Sequence, residues 1–195
     1  MMNFFCWIIA AALSFLSGSI MYCIFIPKLL CKKDVQALSE DKNPGAANVF
    51  LHCGIAIGFL CLSLDMLKGF VPIYLTYRTL GANSLLFGLV LAAPVLGHAV
   101  APFNHFHGGK CISTAFGSLL AVLPIYGAVY ILAVLYILFS TILKINPNRI
   151  RSIITFLLFA LISVPLLIYH KIYFMALGCL IISTTVIVKH VSNPV

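Results

Sequence analysis

Charged residues are scarce in this sequence of 195 amino acids, and their scarcity excludes an ordinary water-soluble protein. Only 8% of the residues are charged, whereas 63% are hydrophobic and the mean hydropathy is +1.14. Soluble domains carry about 25% charged residues. The chain has too little polar surface to cover a soluble domain, so we expect a membrane protein. Its length predicts a single membrane-embedded domain, residues 1–195, without a second large soluble domain.

Sequence patterns for metal or redox chemistry are also missing. The seven cysteines are scattered and include no Cys-x-x-Cys pair, so neither a zinc site nor a dithiol motif is indicated. Three histidines, His98, His105 and His107, lie close together in the sequence, but their spacing fits no strong metal-ligand pattern. No acidic residue lies near them. The sequence therefore predicts no metal and no other cofactor.

The hydrophobic residues form continuous runs, most of them long enough to cross a bilayer with about 20 residues. Continuous runs disfavour membrane strands, in which apolar and polar residues alternate. The first run lacks the basic leader of a signal peptide, so we expect it to be a retained helix. Seven spans are predicted, with the limits 4–26, 54–76, 83–101, 112–124, 125–143, 152–169 and 172–188. The segment 112–124 is the weakest, because it is short and ends at Pro124. We expect an all-α, polytopic membrane helix bundle with about seven transmembrane helices.

Lysine and arginine residues are distributed unequally between the two ends of these spans. If the N-terminus is outside, the outer segments hold only Arg78 and Lys171, and Lys68 lies within a span. The inner segments then hold Lys28, Lys32, Lys33, Lys42, Lys110, Lys144, Arg149, Arg151 and Lys189. Because cytoplasmic segments carry the excess of basic residues, we expect an outside N-terminus and a cytoplasmic C-terminus. This topology brings three polar segments to one membrane face: 27–53, 97–111 and the tail from Lys189.

The first polar segment contains the stretch DKNPGAANVF, residues 41–50. One interpretation is the start of a helix, with Asn43 as the N-cap and Pro44 at the first helical position. The other is a binding site, because the free N–H groups at a helix N-terminus also bind anions. Asn43 and Asn48 would then supply further hydrogen bonds. The spacing alone leaves both interpretations open.

The second polar segment, GHAVAPFNHFHGGKC, ends in Gly108, Gly109 and Lys110 just before a new apolar run. Flexible backbone amides and a cation at the start of a helix suit a phosphate group. The spacing is not that of a Walker A loop. A flexible cytoplasmic turn with a topology-setting lysine is the alternative interpretation.

Two other polar features lie near or within predicted spans. Asp65 and Lys68 are three residues apart, on one face of a helix. A charge near the middle of a span costs about 2.5–3.5 kcal/mol, so we expect both side chains to face protein or water. They form either a buried ion pair or a substrate contact. Near the C-terminus, His190 is suited to proton transfer at neutral pH.

Taken together, these residues resemble the bacterial acyl-phosphate-dependent glycerol-3-phosphate acyltransferases, whose three signatures occur here in order. Matches begin at Gly18–Ile20 and continue through LDMLKG. The signature matches are Asn43, Gly45 and Asn48, then Gly97, His98, Phe106, Gly108, Gly109, Lys110 and Thr114, and finally His190 and Asn193. The departures are Asp41 and Lys42 for Ser-Gly, Leu51 for Arg, Cys111 for Gly, Ser113 for Ala and Lys189 for Arg.

The resemblance implies acyl transfer from acyl phosphate to the 1-hydroxyl of glycerol 3-phosphate, giving lysophosphatidate and phosphate, at the cytoplasmic face of a bacterial inner membrane. Its partners would be these two substrates and membrane lipids, without nucleic acid. Lys110 with the Gly108 and Gly109 amides would bind phosphate, and Thr114 would belong to the same signature. His98, His190 and Asn193 would orient the acceptor or handle its proton. The altered signatures leave open a different polyol phosphate acceptor, and a non-enzymatic carrier or binding protein on the same scaffold is the alternative.

Overall fold

The computed structural model describes residues 4–123 and 126–192, and these residues form helices joined by turns, without a strand. The helices in this part of the chain are α1 (Phe4–Gly18), α2 (Tyr22–Leu30), α3 (Val35–Leu38), α4 (Ala46–Cys53), α5 (Ile55–Leu80), α6 (Leu86–Val100), α7 (Ile112–Leu120), α8 (Ala128–Ile137), α9 (Asn148–Tyr169) and α10 (Tyr173–Ser192). A 3-10 turn follows α6 at Pro102–Asn104, and a π-helical turn extends α8 over Leu138–Ile142. The predicted all-α class is confirmed.

Five helical segments are long and apolar enough to cross a membrane: Phe4–Leu30, Ile55–Leu80, Leu86–Asn104, Asn148–Tyr169 and Tyr173–Ser192. The apolar helix Ala128–Ile142 is shorter. The predicted span 112–124 differs most, because its helix α7 has only nine residues, about 14 Å of length. A helix of that length cannot cross the hydrocarbon core, about 30 Å thick. Seven full crossings are therefore not confirmed, and the orientation stays a prediction.

Helix α6 lies at the centre of the bundle, and 67% of its most apolar window is buried. It packs against α1 on one side and α10 on the other. The contact with α1 is close because each helix contributes a glycine: a Cβ at Gly18 would overlap the backbone of Pro94, and one at Gly97 would overlap the carbonyl of Phe15. Small residues allow such backbone contact between membrane helices. The packing fixes the C-terminal end of α6, from which the second polar segment departs.

The first span is interrupted between α1 and α2, and the buried pair Asp65 and Lys68 lies beside the interruption. The Lys68 Nζ is 2.7 Å from the Asp65 carboxylate and donates a hydrogen bond of 2.6 Å to the carbonyl of Ile20. The Asp65 carboxylate also accepts from the Cys23 thiol at 3.1 Å. Both side chains are almost completely buried, with exposures of 1% for Lys68 and 3% for Asp65. The prediction that both side chains face protein or water is confirmed, and the structure shows the buried ion pair.

Removing one member of this pair should strongly destabilise the bundle. We expect Lys68→Met to lower the free energy of unfolding by about 3–5 kcal/mol, because it leaves a buried carboxylate without its cation. The double variant Asp65→Leu with Lys68→Met should recover much of the loss, since both charges are then gone. Unfolding in mixed micelles measures the effect, and Lys144→Met at an exposed lysine is the control. Wild-type stability of Lys68→Met would contradict a structural role for the pair.

Candidate anion-binding site

The centre of the site is an ion pair between two polar segments that are distant in the sequence. The Lys110 Nζ lies 2.6 Å from the Asp41 Oδ2. Lys110 precedes α7 by two residues, whereas Asp41 lies in the turn between α3 and α4. Both side chains are partly accessible, with exposures of 15% for Lys110 and 25% for Asp41. The ion pair thus brings the first and second signatures together, and both of its side chains remain partly open to solvent.

Two asparagines of the first signature complete the surroundings of Asp41. The Asn48 side-chain amide donates to Asp41 Oδ1 at 2.9 Å and to the carbonyl of Asn43 at 2.9 Å. The backbone N–H of Asn43 also donates to Asp41 Oδ1, at 3.1 Å. Asn48 therefore holds the turn closed. The Asp41 carboxylate accepts from one backbone N–H and one side-chain amide of this turn and from Lys110 of the other polar segment.

The start of α4 differs from the interpretation in which Asn43 caps the helix. Gly45 is the residue that precedes the helix, with extended backbone angles, and Asn43 and Pro44 lie in the turn before it. A Cβ at Gly45 would lie 2.5 Å from the Asn43 side-chain nitrogen. The Asn43 side chain thus packs closely on Gly45, and the interpretation in which Asn43 is the N-cap is wrong.

The Asp41 carboxylate is ionised at neutral pH. Partial burial alone would raise the pKa of this carboxyl group, but hydrogen bonds from Lys110, Asn48 and the Asn43 amide outweigh burial, and the pKa lies below its usual value. Stabilisation of a carboxylate by neighbouring N–H donors and a cation shows that this site favours anions. The same donors suit a phosphate oxygen.

The loop between α6 and α7 adopts an unusual backbone. Four of its residues that are not glycine have left-handed φ angles: Ala101, His105, Phe106 and Cys111. Such conformations cost about 1–3 kcal/mol each and concentrate at functional sites. The loop folds back on the end of α6, where the Gly109 N–H donates to the carbonyl of His98 at 3.2 Å.

Gly108 and Gly109 are packed against the last turn of α6. A Cβ at Gly108 would overlap the carbonyls of His98 and Ala99, and one at Gly109 would overlap Nε2 of the His98 ring. His98 itself is only 3% exposed. The two glycines thus let the backbone pass directly over the imidazole on its way to Lys110, which places His98 beneath the phosphate-binding turn expected from the sequence.

His190, near the end of α10, is the second buried histidine of the site, with 1% exposure. Its Nδ1 is 2.8 Å from the carbonyl of Val186. A carbonyl only accepts, so Nδ1 carries the proton and the lone pair of the neutral ring is on Nε2. The charged groups close enough to act on this ring are Lys110, Arg149 and Asp41. His190 is therefore within electrostatic range of the Asp41–Lys110 pair.

Arg149 fixes the end of α10 in this position. Its guanidinium donates to the carbonyl of His190 at 2.8 Å and to the carbonyl of Val191 at 3.2 Å. The Lys189 side chain, one residue before His190, lies within electrostatic range of His98. Arg149 and Lys189 thus add positive charge near the two histidines.

The remaining predicted residues lie elsewhere or outside the described part of the chain. Thr114 is buried on α7, with its backbone carbonyl against Gly69 of α5. His105 and His107 are exposed in the loop, apart from the buried His98, and no group of three metal-ligating residues occurs among residues 4–123 and 126–192. Asn193 lies outside the described residues.

Sequence reasoning did not select Asp41 and Arg149 as site residues. Asp41 is one of only four acidic residues and directly precedes the turn that contains Asn43, which is the signal that could have identified it. No comparable signal marked Arg149, because its hydrogen bonds are to backbone carbonyls about 40 residues away in sequence.

Comparison with known proteins gives a consistent result. The model of the family described as glycerol-3-phosphate acyltransferase matches residues 8–195. A glycerol-3-phosphate acyltransferase of Maridesulfovibrio salexigens is 37% identical over 132 residues, which cover 66% of this chain and 67% of the relative. One from Leptospira borgpetersenii is 35% identical over 189 residues, 95% of this chain and 85% of the relative.

Solved structures of an integral membrane glycerol 3-phosphate acyltransferase, PlsY, resemble the fold. In its glycerol 3-phosphate form the TM-score is 0.78 at 28% identity, with 96% of this chain and 90% of that chain covered. In its lysophosphatidic acid form the TM-score is 0.76, with 96% and 89% covered. The similarity thus extends over nearly the whole bundle.

The geometry predicts that the loop after α6 and the end of α10 lie at the same membrane face. In a variant without the seven native cysteines, we expect His107→Cys and Ser192→Cys to react with a membrane-impermeant maleimide from one side of sealed vesicles. Arg78→Cys, at the other end of the 26-residue helix α5, should react only from the opposite side. Permeabilised vesicles, in which all three should react, are the control. Labelling of Ser192→Cys and Arg78→Cys from the same side would contradict this arrangement.

Proposed function

The chain belongs to the glycerol-3-phosphate acyltransferase family, and from this membership we propose that it uses acyl phosphate as the acyl donor. The acyl group passes to the 1-hydroxyl of glycerol 3-phosphate, and the products are lysophosphatidate and inorganic phosphate. This is the first acylation of phospholipid synthesis. The enzyme acts at the cytoplasmic face of a bacterial inner membrane, with the acyl chain among the apolar spans.

One observation carries the proposal: a cation and several hydrogen-bond donors hold one anionic group, and the His98 ring lies under the glycine turn next to that cation. Lys110 and the Asn48 amide already hold the Asp41 carboxylate there, and the Lys110 charge acts electrostatically on His190. Both proposed substrates carry a phosphate group. A site built from N–H donors and a lysine suits these phosphate groups better than a site built around a catalytic carboxylate.

The chemistry requires little more than positioning, because an acyl phosphate is already activated. The acceptor hydroxyl oxygen attacks the acyl carbonyl carbon and forms the ester C–O bond. The bond between that carbon and the phosphate oxygen breaks, and the electron pair leaves with the phosphate. Lys110 with the amide of Gly108 would stabilise the negative charge that develops, a contribution that commonly dominates such reactions. The Gly109 N–H is bonded to the carbonyl of His98 and instead fixes the position of this turn. No covalent acyl-enzyme is needed.

The hydroxyl proton needs an acceptor during the attack, and its final place is the released phosphate. His190 is suited to receive it, because the Nδ1–H bond to Val186 leaves Nε2 with a free lone pair. His98 lies under the glycine turn and would help to place the acceptor. Asn43, Gly45 and Asn48 would shape the pocket, while Asn193 and Thr114 are proposed only on the signature match.

The carrier hypothesis rested on the charged pair within a span, and that pair has partners inside the protein. Lys68 donates to Ile20, and Asp65 accepts from Cys23. A transported substrate would have to displace these contacts. Substrate flux into proteoliposomes without acyl transfer would nevertheless favour a carrier.

The reaction is tested by phosphate release from palmitoyl phosphate by the purified protein in detergent. We expect release only when glycerol 3-phosphate is present, and lysophosphatidate should appear in equal amount by mass spectrometry. A panel of other polyol phosphates tests whether the altered signatures change the acceptor. Absence of release with every acceptor, while a related active enzyme succeeds under the same conditions, would overturn the proposal.

Lys110 should be essential for this activity. We expect Lys110→Gln to lower kcat/KM by about 100-fold or more, the loss typical when a group that stabilises transition-state charge is removed. The matched control is Lys32→Gln, since Lys32 is exposed on the same predicted side and should retain full activity. Equal activity of the two variants would remove Lys110 from the site.

A further inference from the structure

The anion site described above already contains an anion that belongs to the chain itself. Asp41 accepts from the Lys110 ammonium at 2.6 Å, from the Asn48 amide at 2.9 Å and from the Asn43 N–H at 3.1 Å. One carboxylate oxygen faces the cation and the other faces the two amide donors. Three donors around two oxygens are the arrangement that a bound phosphate group would require.

These donors cannot serve Asp41 and a substrate phosphate fully at the same time. A phosphate that reaches Lys110 must share or take over its contact with Asp41 Oδ2. It also meets a carboxylate that is ionised at neutral pH, so the two anions repel each other. The exchange is feasible because the pair is partly exposed to solvent, where an ion pair contributes little net free energy.

We propose that Asp41 competes with the substrate phosphate for Lys110 and thereby sets the affinity of this site for phosphate compounds. The inference rests on the proposed function only in its assumption that the physiological ligand is a phosphate ester or acyl phosphate. Asp41 is in this view a residue that determines affinity, not a catalytic residue. The opposite role, in which Asp41 holds Lys110 in its binding position, predicts weaker binding when Asp41 is replaced.

The test is the binding of inorganic phosphate to the purified protein in detergent, measured by isothermal titration calorimetry. We expect Asp41→Ser and Asp41→Asn to lower the Kd for phosphate by about twofold to fivefold, the effect of a partly exposed ion pair. The change should shrink at high salt, because salt screens the repulsion. Unchanged or weaker binding in both variants would overturn the inference.

The matched control is Asp34→Ser, which removes the same charge from a site outside the pocket. Asp34 pairs with Lys28 at 2.9 Å and caps α3 through a hydrogen bond from Ala37 at 3.1 Å, and serine preserves such a cap. Its affinity for phosphate should equal that of the wild type. An equal gain in this variant would mean that net charge alone acts, and the inference would fail.

Folding is checked by thermal unfolding of each variant. Asp41→Asn keeps the shape of the side chain and its acceptor oxygen, so it provides the measurement if Asp41→Ser unfolds. Unfolding of both variants would identify Asp41 as a structural residue and would also overturn the inference. Phosphate binding needs no turnover, so the two proposals fail separately: tighter binding without acyl transfer removes only the proposed function, and turnover with unchanged binding removes only the role of Asp41.

Discussion

The contact between Lys110 and Asp41 is the interaction around which the other groups of the site are arranged. It joins two turns that are 69 residues apart in the sequence, and each turn is held by its own local contacts. Asn48 closes the turn that carries Asp41, and Gly109 binds the loop to the end of α6. Because each turn is fixed by its own contacts, the ion pair marks where the two turns meet and is not needed to fold either of them.

The bundle supplies the rigidity that these turns need. α6 is the most buried of the candidate spans, and its glycine contact with α1 fixes the depth at which His98 and the following loop emerge. α10 packs on the other side of α6 and brings His190 to the same place, where Arg149 holds its backbone. Three segments that are distant in the sequence lie at the same end of the bundle, because each begins or ends at α6 or at a helix packed against α6.

The sequence predicted the class of fold well, since long apolar runs have few structural solutions in a membrane. It also predicted that Asp65 and Lys68 avoid lipid, but it left open whether they form a buried ion pair or contact a substrate. The short helix α7 was harder, because the 13 residues of the largely apolar segment 112–124 do not reveal how many of them are helical. The first turn was also beyond sequence reasoning: capping by Asn43 and capping by Gly45 differ only in backbone angles, which depend on contacts with Asp41 and Asn48.

Two of the departures from the family signatures have different surroundings: one lies at the site, and the other is exposed. Asp41 is bound directly to Lys110, whereas Leu51 on α4 is 75% exposed. Three basic residues supply the positive charge of the pocket. Lys110 and Arg149 act electrostatically on His190, and Lys189 acts on His98. With Asp41 as the acidic partner among these cations, the net charge stays positive and still attracts anionic substrates. A carboxylate at this position is therefore compatible with a site that still prefers anions.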